Sequence, residues 1–113
     1  MRPCATLLIL ALLSQPALAQ DRGTRIAMAV ALLDVAEDHC AGTLRIDPGV
    51  KERLMAHFHE FDIAGLASLL SQPLNAFYED FVYEAKREGE AFCRRAPEEA
   101  AATGYPVIVA GEP

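Results

Sequence analysis

The stretch Ile26–Ala36 most constrains the fold, because ten of its eleven residues are apolar and Asp34 is the exception. Its length suits a helix of about three turns. A helix that is apolar nearly all round must be covered on every side, which places it in the middle of a helical bundle. Gly42 predicts the end of this helix, since glycine readily adopts the left-handed turn found at helix C-termini. Cys40 is therefore expected at its last turn.

The segment Met1–Ala19 has the pattern of a secretory signal peptide. Arg2 supplies an early charge, an apolar run too short to span a bilayer follows, and small residues precede a predicted cleavage site after Ala19. The rest, residues 20–113, is then a single helical domain. Eight arginines against two lysines suit a GC-rich bacterial genome, so we expect a periplasmic or secreted bacterial protein. An uncleaved membrane anchor is the remaining alternative.

The acidic composition narrows the range of partners. The sequence has 10 basic and 16 acidic residues, a formal net charge of −6, and removal of Arg2 with the leader lowers it to −7. Proteins that bind nucleic acid without regard to sequence need a basic surface that displaces counterions from phosphates. Docking on anionic lipids also needs a positively charged surface. We therefore expect no nucleic-acid partner and no stable membrane anchor once the leader is removed.

Cys40 and Cys93 are the two cysteines that remain after the leader, which would carry Cys4 away with it. An even number of cysteines in a small exported chain predicts a disulfide, and two cysteines allow one pairing. The bond would close a loop of 53 residues, which stabilises a fold by about 4 kcal/mol in the chain-entropy description. A redox-active pair or a metal site is the functional alternative, although exchange catalysts usually keep their cysteines two residues apart.

Three further segments have helical patterns. Asp47-Pro48 predicts a helix start, since aspartate caps helices and proline suits the first helical position. Asp62 is expected to cap a shorter helical segment. The longest helix is predicted over Pro73–Ala96, and Pro97 is expected to end it. Residues of opposite charge along that helix, such as Glu90 and Arg94, have the spacing of surface ion pairs. The predicted fold is all-α: a small antiparallel bundle of three to four helices with one disulfide and an extended C-terminal tail.

The tail Tyr105–Ala110 is apolar and rich in residues that favour strands. We expect it to lie extended across the bundle and to cover its core, because an all-helical domain offers a strand nothing to pair with. The alternative is that it adds a strand to the sheet edge of a partner protein. In that case Tyr105, Val107 and Val109 are the candidate partner-binding residues.

Acidic residues and one histidine crowd the end of the first helix. Asp34 and Asp38 are one turn apart and could share a divalent cation with His39, although hard cations usually take more oxygen ligands from a loop. A solvated polar end of the helix is the alternative. His57 and His59 point about 200° apart on a helix, so they cannot chelate one metal. A zinc site that includes a cysteine would need a reduced thiol, which export disfavours.

Known catalytic motifs are missing from the sequence. It contains no glycine-rich phosphate loop, no nucleophile elbow and no haem-attachment motif. The carboxylates of the long helix alternate with basic residues, as on a solvated helix face; they are Glu79, Asp80, Glu84 and Glu88. We therefore expect no enzymatic activity and no cofactor.

The order of these features resembles small exported bacterial families of unassigned function: a leader, an apolar helix that ends in one cysteine, acidic helices, and then Phe92-Cys93. In general build the chain is also similar to the periplasmic acid-stress chaperones, which are small helical proteins with one disulfide. It lacks their lysine-rich composition. The resemblance assigns no functional residue.

The function that fits these features is a non-enzymatic periplasmic or secreted protein that acts through protein–protein contact, as an accessory subunit, an inhibitor or a chaperone. A protein partner is thus expected. The alternative is a periplasmic module that binds a small ligand or a metal with the Asp34–His39 end of the first helix and the histidines.

Overall fold

A computed structural model describes residues 22–63 and 67–111 of the chain, and the predicted leader Met1–Ala19 lies outside them. Over the described residues the chain forms a helical bundle with one disulfide, as predicted. Every helix in this part of the chain is too short or too polar to cross a membrane. In chain order the elements are α1 (residues 22–39), β1 (Leu44–Ile46), α2 (Pro48–Ile63), α3 (Ala67–Glu88), α4 (Glu90–Ala102) and β2 (Ile108–Ala110).

The apolar helix α1 is buried on most of its surface, as its composition predicts. Ile26 and Leu32 are fully buried, whereas Asp34, the polar exception, is exposed to solvent. The backbone N–H of Cys40 donates to the carbonyl of Ala36 at 2.8 Å, which continues the helical hydrogen bonding to the end of α1. A turn over residues 41–43 then reverses the chain into β1.

Asp47 begins α2 as predicted. Its Oδ1 accepts the backbone N–H of Val50 at 3.1 Å and so satisfies one of the free donors at the helix N-terminus. The helix continues to Ile63, and the prediction that Asp62 caps a separate segment is wrong. An aspartate inside a helix lowers helix stability by well under about 1 kcal/mol. Packing of the fully buried Leu54 therefore stabilises α2 more than local helix propensity does.

The long helix expected over Pro73–Ala96 is in fact two helices with different ends. α3 begins at Ala67, so Pro73 lies inside it, and α4 continues five residues beyond Pro97. Each proline removes one backbone hydrogen bond, but its fixed φ is itself helical. The break falls instead at Gly89, whose φ of 57° and ψ of −118° are readily reached by glycine alone.

The C-terminal tail pairs with a strand of the same chain, which corrects the expectation that it has no pairing partner. β1 and β2 form an antiparallel two-stranded sheet. At one end the N–H of Asp47 donates to the carbonyl of Val107 at 2.8 Å, and at the other the N–H of Gly111 donates to the carbonyl of Thr43 at 3.0 Å. The short link between α1 and α2 supplies the partner strand.

The core joins α1, α2, α3, α4 and the tail. Val107 and Ile108 are buried, so the tail covers the bundle as expected. Phe81 and Phe92 pack with their ring centroids 6.3 Å apart, which joins α3 to α4. The largest fully buried side chains are those of Phe92, Ile26, Leu32, Leu54, Val35 and Val107.

Candidate functional site

The disulfide joins the end of α1 to the first turn of α4. Cys40 and Cys93 are 2% and 9% exposed, and their Cα atoms are 5.7 Å apart, within the usual range for a disulfide. Cys40 follows directly on α1, and the turn at Gly89 places Cys93 opposite it. The predicted pairing is confirmed, and it is compatible with an oxidising compartment outside the cytoplasm.

A cleft of about 790 Å³ opens beside this bond, and we call it the disulfide cleft. Small residues and backbone form much of its wall, including Gly42, Ala85 and Gly89. Glu90 and Arg94 lie at the cleft, with 4.0 Å between Oε2 and Nη1. The other lining residues are His39, Cys40, Thr43, Leu44, Cys93, Pro97, Ala110 and Gly111.

A second concave surface lies between α1, α2 and α3, and we call it the helical groove. It encloses about 520 Å³. α1 contributes Val30, Ala31, Leu33, Asp34 and Glu37; α2 contributes Lys51 and Met55; α3 contributes Leu74, Asn75 and Tyr78. The α1 residues recur at three- and four-residue spacing, so they share one face of the helix over about two turns.

Large apolar side chains of the helical groove are exposed to solvent. The described residues include three exposed large hydrophobic side chains: Met55 at 40%, Tyr78 at 43% and Tyr83 at 64%. Met55 and Tyr78 both line the groove. Tyr83 instead has the guanidinium of Arg87 over its ring, 5.4 Å from the centroid. Two of these three exposed side chains therefore lie together in the groove and leave apolar surface uncovered there.

The charges in the helical groove are partly compensated. Lys51 Nζ donates a hydrogen bond to Glu37 Oε2 at 3.3 Å, which joins α2 to α1 at the wall. Asp34, one turn away along α1, is exposed and has no ion pair within the described residues. The groove therefore combines an apolar surface with one uncompensated negative charge.

The candidate metal ligands at the end of α1 lie on different surfaces. His39 Nε2 and Asp38 Oδ2 are 3.7 Å apart, and both residues are exposed. Asp34 lines the helical groove, whereas His39 lines the disulfide cleft. Within the described chain, no three histidine, cysteine, aspartate or glutamate side chains are grouped as a metal ion would require.

One of the candidate histidines instead ties the tail to α2. His57 Nδ1 and the hydroxyl of Tyr105 are hydrogen-bonded at 2.7 Å, and the two rings make an edge contact with centroids 5.6 Å apart. His59 is exposed. Of the other candidate tail residues, Val107 is fully buried and Val109 is half-buried in β2. No sequence pattern indicated the His57–Tyr105 contact, because 48 positions separate the two residues.

A charged cluster spans the junction between α3 and α4. Arg95 donates to both carboxylate oxygens of Glu88, at 3.1 and 2.7 Å, and these hydrogen bonds lower the pKa of Glu88 below its ordinary value. Burial raises the pKa of Glu99, and the negative charge of Glu84 adds to that effect. Glu99 Oε2 is buried and has no hydrogen-bond partner among the described residues.

Comparisons with protein-family models, with curated proteins and with solved structures found no match to this chain. The class that the structure itself defines is a small disulfide-linked helical bundle. The function proposed below is therefore inferred from the surfaces of this chain alone.

Proposed function

We propose that this chain is a non-enzymatic periplasmic or secreted protein that acts by binding another protein, and that the helical groove is its contact surface. The exposure of Met55 and Tyr78 on one concave surface carries the proposal. Contiguous apolar surface in water is unfavourable, and burial against a partner recovers about 25 cal/mol per Å² of apolar area. Methionine and tyrosine suit such contacts, since one adapts its shape and the other adds a hydroxyl to a large ring.

The Cys40–Cys93 bond supports export and gives the contact surface a fixed frame. It ties α1, which forms one wall of the groove, to α4. A bridge across 53 residues reduces the freedom of a small domain, and a preorganised surface loses less entropy when it binds. The Lys51–Glu37 contact holds α2 against α1 in the same way.

Site-specific crosslinking tests the proposal. A photoreactive amino acid replaces Tyr78 in one variant and Tyr83 in the other, and both are produced in the cell envelope of a bacterium that carries the gene. Both positions are exposed tyrosines of α3, but Tyr78 alone lines the groove. We expect one discrete adduct from position 78 and none of the same mass from position 83.

Substitution gives a second measurement of the same contact. Tyr78→Ser and Met55→Ser should abolish the adduct formed from a photoreactive group at Asn75, whereas Tyr83→Ser should leave it unchanged. Circular dichroism establishes that each variant keeps its helices. Equal adducts from positions 78 and 83, or an adduct insensitive to Met55→Ser, would contradict a contact at the groove.

The volume of the disulfide cleft favours a second candidate, a small-ligand module. Its 790 Å³ lies within the range of ligand pockets, and His39 from the acidic end of α1 lines it. Native mass spectrometry of protein purified from its own host should then show a bound molecule. Gly42→Phe should remove that molecule, because Gly42 lines the cleft and a Cβ there would meet no atom within 4 Å. Metal analysis before and after chelation tests the metal-binding form of this candidate.

A further inference from the structure

We infer that the helical groove receives an amphipathic helix from its partner, with apolar side chains inward and a basic residue placed against Asp34. This inference rests on the proposed function and names the chemistry of the partner. Three observations carry it: the walls of the groove, the charge inside it, and the exposed ring of Tyr78.

The walls favour a helix over an extended strand. All three walls are helices, whose backbone N–H and C=O groups are already bonded to one another. An extended segment in the groove would find few backbone partners for its own polar groups. A helix satisfies its backbone internally, and its side chains fit between the rows of side chains on α1, α2 and α3. Along α1 the groove runs from Val30 to Glu37, about 10 Å, which matches two turns of a bound helix.

The charge in the groove favours a basic side chain at one position of that helix. Lys51 is bound to Glu37 at 3.3 Å, so this pair contributes little net charge. Asp34 remains as an exposed carboxylate within the groove. The formal net charge of −6 also attracts a cationic partner and repels a second copy of this chain.

Tyr78 provides a second contact for the same basic group. An arginine or lysine within about 6 Å of a ring face is attracted to it. The chain shows this chemistry in α3, where the guanidinium of Arg87 lies 5.4 Å from the ring centroid of Tyr83. Tyr78 is exposed and lines the helical groove together with Asp34, so we expect the cation of the partner to lie on the surface that both residues form.

Two model peptides test the inference with the full oxidised chain. The first is an 18-residue fluorescent peptide with leucine at every third or fourth position and lysine on the opposite face. The second has glutamate in place of each lysine. Fluorescence anisotropy should show the lysine peptide binding at least about tenfold more tightly, which corresponds to about 1.4 kcal/mol. Added salt should weaken its binding severalfold.

Matched variants separate binding in the groove from general attraction to an acidic protein. Asp34→Asn and Asp38→Asn remove the same charge from exposed positions of α1, but Asp34 alone lines the groove. We expect Asp34→Asn to weaken binding of the lysine peptide about three- to fivefold, and Asp38→Asn to change it less than twofold. Tyr78→Ser should weaken it, whereas Tyr83→Ser should not.

Several outcomes would overturn the inference. Equal effects of Asp34→Asn and Asp38→Asn would show that the lysine peptide responds to overall charge alone. Tighter binding of the glutamate peptide, with loss on Tyr78→Ser, would overturn the basic partner and leave the proposed contact surface in place. Failure of both peptides to bind, or sedimentation showing two copies joined through Met55 and Tyr78, would overturn the helical partner. The crosslinking from Tyr78 then decides separately whether the proposed function stands.

Discussion

Replacement of Cys40 and Cys93 with alanine tests how far the crosslink stabilises the bundle. The bond closes a loop of 53 residues, for which the chain-entropy relation gives about 4 kcal/mol at 25 °C. Both sulfur atoms are also buried, and the small voids left by alanine add about 1 kcal/mol. A domain of this size has a net stability of about 5–14 kcal/mol, so the variant should lose a large share of it. Alanine is preferred to serine because it buries no hydroxyl without a partner.

Urea unfolding followed by circular dichroism at pH 7 measures this loss. Cys4 is replaced by serine in every sample, so that Cys40 and Cys93 are the two cysteines of the parent protein. With a slope of about 1–2 kcal/mol per molar urea, a total loss of about 5 kcal/mol should lower the midpoint of the double alanine variant by about 2.5–5 M. The reduced parent protein serves as a control that keeps the sulfur atoms, and it should account for most of the shift. Midpoints within about 0.5 M in the oxidised and reduced parent would refute the loop-entropy reasoning.

Four further predictions concern two glycines and the charged junction. Gly89→Ala should lower the free energy of unfolding by about 1–3 kcal/mol, because alanine is strained at the positive φ of Gly89. The new Cβ would meet no atom within 4 Å, so a steric clash adds nothing. Gly42→Ala is the control in the same thermal melts, since its Cβ would be equally open and its φ is not positive. Gly111→Ala should lower the melting temperature by several degrees, since its Cβ would lie 2.5 Å from a backbone oxygen beside β1; a melt identical to that of Gly42→Ala would contradict the close approach. Glu88→Gln should destabilise the fold at neutral pH, because the pKa of Glu88 is lowered: its contribution to stability is present when the pH is above the ordinary pKa of a glutamate and is lost as the pH falls. Glu99→Gln should stabilise the fold at neutral pH, because the pKa of Glu99 is raised: its contribution to stability is present when the pH is below the ordinary pKa of a glutamate and is lost as the pH rises. The urea midpoints of the Glu88→Gln and Glu99→Gln variants should both approach the parent value at pH 3. Midpoint shifts of the same sign for the two variants at pH 7 would show the assignment to be wrong.

The helical class and the crosslink could be predicted from the sequence because each rests on a local or countable feature. The apolar run that contains Asp34 needs surrounding helices, and two cysteines allow one pairing. Asp47 likewise predicts the start of α2, since its capping hydrogen bond spans three residues. These features depend little on how distant parts of the chain meet.

The boundaries of α3 and α4 could not be predicted, because local rules compete there. Pro73 and Pro97 are the usual breakers, yet both lie within helices, and Gly89 makes the break through a positive φ. Its position brings Arg95 against Glu88, an ion pair seven residues apart that an unbroken helix would not form. The Glu90–Arg94 contact, which depends on helical spacing alone, was expected.

The helical groove depends on three helices that meet in space, so no sequence pattern indicated it. Met55 and Tyr78 lie on different helices and follow the same apolar periodicity as core residues. Periodicity does not tell whether another element covers such a side chain. The partner strand of the tail was missed for a similar reason, since residues 44–46 are short and lie between helices.

The tail is the last element of the fold in chain order, and both cysteines precede it. α1, β1 and Cys93 all leave the ribosome before β2 does, because β2 follows them in the chain. The Cys40–Cys93 bond therefore needs no residue of the tail, and it can form before Val107 is buried. A chain that stops after α4 would keep both cysteines and lack the two-stranded sheet.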